Sequence, residues 1–149
     1  MSYLFTPQCI VCEGERDRIV LAELSARILY MNSISRRVDI IVANGKLVVP
    51  RVVQAVAPQY PPDSVIAVVD SDGRIDSVRR MLARSLGASE PWVVIANPNV
   101  ESWVTGKVGK LHPDILRDSA IKADLQWIET RHAEFKDFRE AVTSIPLQR

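Results

Sequence analysis

Ser64-Val-Ile-Ala-Val-Val-Asp-Ser-Asp-Gly73 holds five apolar residues, mostly β-branched and too few for a helix, followed by two carboxylates one residue apart and a glycine. Such a run is a buried strand with acids at its exit. In an open parallel α/β sheet, ligands bind outside the carboxyl ends of the strands, so Asp70 and Asp72 are expected where a ligand can reach them. Gln8-Cys-Ile-Val-Cys-Glu-Gly14 has the same build. It ends in Glu13 and a glycine and opens directly into a helical pattern.

Outward from these two strands the pattern alternates. From Glu15, Ile19, Ala22, Ala26 and Leu29 recur at three- and four-residue steps, which predicts a helix ending near Tyr30 to Asn32, with Arg16, Glu23 and Arg27 on its other faces. Residues 38–43 form a second short strand closed by Asn44-Gly45. A helix is expected from about Pro50, because proline is accepted in a first turn. Ile75, Val78, Met81, Leu82 and Leu86 mark an amphipathic helix ended by Gly87, where a left-handed residue is wanted. Residues 92–96 are a fourth strand leading into Asn97-Pro-Asn-Val-Glu-Ser-Trp103, with a short helix near Asn99 that holds Glu101 in its first turn. Residues 106–113 are expected as loop. The remainder, from about Ser119 to Val142, places Ile121, Leu125, Ile128, Phe135 and Phe138 on one stripe with His132, as one long helix or two shorter ones.

Strand and helix in alternation imply an α/β fold: a four-stranded parallel sheet flanked by helices. The order 2-1-3-4 sets the first and third strands side by side and makes their C-terminal ends a topological switch point. Glu13 and Asp70 are then neighbours. At 149 residues with 47% hydrophobic content the chain has the length of one domain, with a core over about 8–104 and a helical extension over about 105–149.

Charge narrows the partners. Nineteen Lys and Arg against 18 Asp and Glu leave a net charge of +1, so a strong sequence-independent grip on nucleic acid is not advertised, although a local basic patch is compatible with it. No apolar run approaches the ~18 residues of a membrane span. The expectation is a cytoplasmic protein without membrane contact. Cys9 and Cys12 have C-x-x-C spacing, but on a strand residues three apart point to opposite faces, and no second Cys or His pair completes a zinc site. They are expected as buried thiols.

Adjacent strands lie about 4.8 Å apart, so Glu13, Asp70 and Asp72 can converge within a few ångströms. Three ionised carboxylates that close repel, so some protonate or a cation neutralises them. Oxygen-only ligands suit Mg²⁺ or Mn²⁺, and Mg²⁺ fills its remaining positions with water and phosphate oxygens. The arrangement asks for a phosphate-bearing substrate. Each residue also has a plainer role to set beside this one. Glu13 and Asp17 can complement a helix dipole, Asp72 can cap the helix that follows it, and Asp76 can sit in a first turn. Lys46 can be an exposed lysine at an element boundary. Lys107 and Lys110, beyond the fourth strand on the side where the acids emerge, are the better candidates for phosphate contact. Trp92 and Trp127 read as packing residues, and Trp103 packs beneath the site or stacks a base.

Val11-Cys-Glu-Gly-Glu-Arg-Asp17 followed by Val69-Asp-Ser-Asp-Gly73 resembles the TOPRIM domain, whose motifs are a glutamate-glycine after the first strand and Asp-x-Asp after the third. It looks closest to the TOPRIM domains of overcoming-lysogenization-defect (OLD) family nucleases and to small standalone TOPRIM-like proteins of bacterial defence loci. Asp17 stands where those nucleases carry a further acid. Asn97-Pro-Asn-Val-Glu-Ser-Trp103 is similar to an Asn-Pro-x-x-Glu-x-Trp signature of TOPRIM-like families, which adds Glu101. The resemblance implies a Mg²⁺- or Mn²⁺-dependent nuclease hydrolysing phosphodiesters of DNA or RNA. Glu13, Asp17, Asp70, Asp72 and Glu101 would be the metal ligands. Glu13, Asp70, Asp72 and Lys107 would carry the catalysis, and Lys46, Lys107 and Lys110 would bind nucleic acid. Three departures stand out: glycine directly follows Asp72, the distal lysine of OLD nucleases has no evident counterpart, and no ATPase domain is attached.

The competing reading is a TOPRIM-like partner subunit, inactive alone or active only within an ATPase-containing complex, and homodimerisation is left open. Near-neutral charge favours it. A receiver-like phosphoacceptor ranks last, because Glu13-Gly14 does not supply the paired acids such a fold carries after its first strand.

Overall fold

The computed structural model of the protein describes residues 6–61, 63–87, 91–106 and 110–145. Four strands, β1 (Gln8–Cys12), β2 (Val38–Val42), β3 (Val65–Asp70) and β4 (Trp92–Ala96), form one all-parallel sheet in the order β2-β1-β3-β4. The expected order is the observed one. β1 and β3 are buried along nearly their whole length, as strands covered on both faces must be, and this explains their unbroken apolar runs.

Helices cover both faces. Helix α1 (Glu15–Met31) packs on one face, while α2 (Val49–Val56) and α3 (Ile75–Leu86) pack on the other. The period-2 alternation divides β1 and β3 between two cores. Ile10, Cys12, Ile66 and Val68 meet α1, whereas Cys9, Val11, Val65, Ala67 and Val69 meet α2 and α3. The two thiols therefore diverge, as expected, and burial pushes Cys9 up to about 11 and Cys12 up to about 12.

Two parts of the helical reading are corrected. The buried stripe of α1 runs through Ile19, Val20, Leu21, Leu24, Ser25, Ile28 and Leu29, so Ile19 and Leu29 fall where expected, whereas Ala26, about 200° round the helix from Leu24 and from Ile28, is exposed. The C-terminal extension is three helices, α4 (Pro113–Lys122), α5 (Leu125–Arg131) and α6 (Glu134–Thr143). Pro113 stands at the first position of α4 behind His112, and the Asp124 carboxylate caps α5 by accepting from the Gln126 and Trp127 N–H groups. These breaks reset the helical phase. Ile121 is consequently 48% exposed, while Leu116 and Ala120 face the core in its place.

Beneath the C-terminal end of β4, Trp103, Phe135 and Phe138 form a fully buried aromatic group. Trp103 meets Phe135 edge-on with ring centroids 5.2 Å apart, and its Nε1–H donates to Glu134 at 3.0 Å. It is a packing residue. Trp127 does not pack in the core; it lies 47% exposed under the Arg131 guanidinium. No described helix is long and apolar enough to cross a membrane.

Candidate functional site

The chain leaves β1 through Glu13 and β3 through Asp70, and because these strands are neighbours the two exits meet. The Asp70 backbone N–H donates to Glu13 Oε2 at 2.5 Å, which puts the Glu13 carboxylate against the residue bearing the second acid. Asp70 is oriented from its other side, where Oδ1 accepts from the Val100 N–H at 2.9 Å. Asp17, three residues into the entry of α1, turns back so that Oδ2 accepts from the Gly14 N–H at 3.2 Å. This is half of a capping box, and it explains why an acid placed one turn into a helix faces the strand ends instead of solvent.

These three carboxyls feel one another. Asp70 is raised to about 8, mainly by burial and then by Asp17 and Glu13. Asp17 is raised to about 7 by burial, then by Glu13, with Glu101 and Asp72 adding to it. Glu13 is also raised by burial, against which the Asp70 N–H and Lys46 work. Among the described residues no cation lies within ion-pair distance of Glu13, Asp17 or Asp70. The cations stand one step out. Lys46 Nζ is 2.6 Å from Asp72 Oδ2, and Arg16 Nε is 2.6 Å from Glu101 Oε1. The flanking acids are paired; the central ones are not.

Asp72 follows from the turn that leaves β3. Asp72 and Gly73 both have positive φ, 49° and 80°, a pairing that Asp and Gly tolerate better than other residues. The turn is pinned to the loop after β4. Ser71, fully buried, donates through Oγ to Asn97 Oδ1 at 2.7 Å and accepts from the Gly73 N–H, while the Asp72 N–H donates to the Pro98 carbonyl. The position preceding α3 is Arg74, with no side-chain cap, so Asp72 does not cap the helix; its carboxylate turns to Lys46. Asp76 is exposed beside Arg79, away from the cluster.

Glu101 opens the short 3-10 turn Glu101–Trp103, at the cluster's border, with its carboxylate gripped by Arg16. Arg16 Nη1 also donates to the Leu111 carbonyl at 2.6 Å, which ties the lead-in of the C-terminal extension to the start of α1. Lys110, one residue earlier, is exposed. Lys107 lies outside the described residues. His132 ends α5 with Nδ1 3.2 Å from the Asn97 carbonyl, a boundary contact.

Sequence reading missed Arg16, Ser71 and Asn97. Helical periodicity puts Arg16 on a face away from the apolar stripe of α1, although its place between Glu15 and Asp17 at a helix start near acids is an available signal. Ser71 and Asn97 left no signal, because each matters through a hydrogen bond between loops 26 residues apart.

The donor set at the strand ends consists of carboxylate oxygens, which suits a hard divalent cation, and crowding already disfavours three simultaneous negative charges. As the side chains stand, the described residues contain no group of three or more Asp, Glu, His or Cys in a metal-ligating arrangement. In class, the protein is a three-layer α/β domain with an acid cluster at its topological switch point. No family model matches the chain, and no curated protein matches it either.

Proposed function

We propose that this protein is a metal-dependent phosphodiesterase acting on DNA or RNA, of the TOPRIM type that its Glu-Gly and Asp-x-Asp motifs resemble. The observation that carries the reading is the convergence of buried Asp17 with half-buried Glu13 and Asp70, mutually repelling and without a protein cation among the described residues. Structural acids are normally paired; a cluster left this way fits a cation supplied from outside.

Glu13, Asp17 and Asp70 would hold Mg²⁺ or Mn²⁺, with Asp72 turned to the same side. When bound, the metal would polarise the phosphoryl oxygens and activate a water for in-line attack. The chain's own residues do the rest. The Asp70 and Val100 N–H groups hold two carboxylates in place, and the Ser71–Asn97 hydrogen bond fixes the turn between Asp70 and Asp72. Lys46 is placed to trade Asp72 for a phosphate oxygen, and Arg16 keeps Glu101 facing the cluster. The test is incubation with supercoiled plasmid and with single-stranded RNA in Mg²⁺, Mn²⁺ or EDTA, beside Asp70→Asn. Cleavage that needs metal and is lost in the variant supports the proposal; no cleavage of either substrate in either metal overturns it.

A second reading, a conditionally active subunit of an ATPase-containing complex, is favoured by one contact. Lys46 already neutralises Asp72, an internal cation that a partner or substrate would have to draw away. Metal binding by calorimetry without cleavage is its expected signature.

A further inference from the structure

Helix α3 carries three arginines and one acid, with a fourth arginine, Arg74, directly before it, and its three-dimensional setting sorts them. Arg79 pairs with Asp76 on the flank facing the β4 edge. Arg74, Arg80 and Arg84 are exposed, and among the described residues none of them pairs with an acid. At 100° per residue Arg80, Arg84, Ser77 and Met81 fall on one arc of the helix, with Arg74 at its upper end. That arc borders two adjoining hollows that share Ser77 and Met81: the upper one reaches Lys46, Asp72 and Arg74, and the lower one reaches Arg80 and Arg84. Through these shared residues the two hollows run on from the Lys46–Asp72 pair, at the border of the acid cluster, down α3 as one track.

We infer that this track seats one unpaired strand of nucleic acid by its phosphates, leading it into the acid cluster. The inference rests on the nucleic-acid reading of that cluster and names the form of its substrate. Arg74, Arg80 and Arg84 supply three unpaired positive charges, and of the two acids nearby Asp72 is held by Lys46 and Asp76, one turn before Arg80, by Arg79. From Arg74 to Arg80 is ~9 Å along the axis and from Arg80 to Arg84 ~6 Å, at about 1.5 Å per residue. A single file of cations follows one backbone. Between them lie Leu47, 74% exposed, and Met81, apolar surface that the bases of an unpaired strand can cover and that a duplex, with its bases stacked inside, cannot. Among the described residues the track has no aromatic side chain for base stacking, so phosphate contact carries the affinity and little sequence preference is expected.

The experiment is fluorescence anisotropy in EDTA, where no turnover occurs, with a labelled single strand of about 16 nucleotides and the corresponding duplex as separate probes. The full chain is compared with Arg80→Glu/Arg84→Glu and with Arg79→Ala as the control from the opposite flank; circular dichroism melts verify that all three fold alike. The double variant is expected to weaken single-strand binding at least about tenfold at low salt and to flatten the salt dependence of log K by about 1.4, two contacts at ~0.7 each. Arg79→Ala is expected to leave both unchanged. Equal binding by the double variant, an equal loss in Arg79→Ala, duplex binding tighter than single-strand binding, or no binding at all each overturns the track. A protein that binds through the track but never cleaves in Mg²⁺ or Mn²⁺ refutes the phosphodiesterase and leaves the track standing. One that cleaves while the double variant binds normally does the reverse.

Discussion

The two ends of the same four strands bury polar groups in opposite ways. At the N-terminal end the polar groups are neutral or balanced: buried Gln8 donates through Nε2 to the Ala141 carbonyl at 2.9 Å while its Oε1 and the Ser64 hydroxyl stay uncharged and unpartnered, and half-buried Asp39 accepts from the Tyr60 hydroxyl at 2.6 Å with Arg37 3.3 Å away. At the C-terminal end Asp17 and Asp70 sit against Glu13, and the nearest cations hold Asp72 and Glu101 instead. One end carries neutral or charge-balanced groups, even where a buried oxygen goes without a partner. The other keeps a repulsion that lowers stability, which is the pattern expected where binding, not folding, is served.

The largest effect should separate the ends by sign. Asp70→Asn is expected to lower metal-dependent cleavage by at least about 10³-fold, since loss of the proposed metal ligand would forfeit several kcal/mol of charge stabilisation at 1.36 kcal/mol per decade. The same variant should melt higher than the parent without metal at pH 8. A variant losing activity and stability together would erase the contrast between the two ends.

pH gives the next test. Asp70 and Asp17 move from 3.8 in the unfolded chain to about 8 and about 7 in the fold, so between pH 4 and 8 the folded state holds protons that the unfolded state has released. Stability in EDTA must therefore fall as pH rises through that window and level off above it. The midpoint of thermal unfolding followed from pH 5 to pH 8 should show this fall, and Asp70→Asn should flatten it. Mg²⁺ should reverse the loss, by about 2.7 kcal/mol at a hundredfold excess over Kd, and its binding at pH 7 should release protons, seen as a buffer-dependent heat in calorimetry.

At the other end the effects are smaller and confined to stability. Gln8→Leu leaves the Ala141 carbonyl buried without its donor and should cost about 1–3 kcal/mol in urea unfolding, with cleavage unchanged. Tyr60→Phe, removing the hydroxyl on Asp39, should cost about 1 kcal/mol by the same measurement. Altered cleavage in either would mean that the ends are coupled and the contrast is not one of local chemistry.

Much of the fold was legible because its strands are buried on both faces, and burial writes itself as unbroken β-branched runs such as Val65 to Val69. The acids Glu13, Asp70 and Asp72 were legible for a related reason: a carboxylate directly after such a run can only stand at a strand's end. Lys46 reads from the sequence chiefly as a surface residue, because its contact with Asp72 spans 26 positions and leaves no periodicity. The C-terminal helices were misphased at Ile121 for the opposite reason, since local breaks at Pro113 and Asp124 reset a pattern that looked continuous.

By itself the order of residues determined four parallel strands, their sequence in the sheet and the acids at their ends, because strand burial and crossover connection are properties of short, contiguous segments. Only the tertiary structure decided which charges are left unanswered. Arg16 went to Glu101, Lys46 to Asp72, and Arg74, Arg80 and Arg84 to the surface, because pairing depends on distances between segments that adjacency along the chain does not encode.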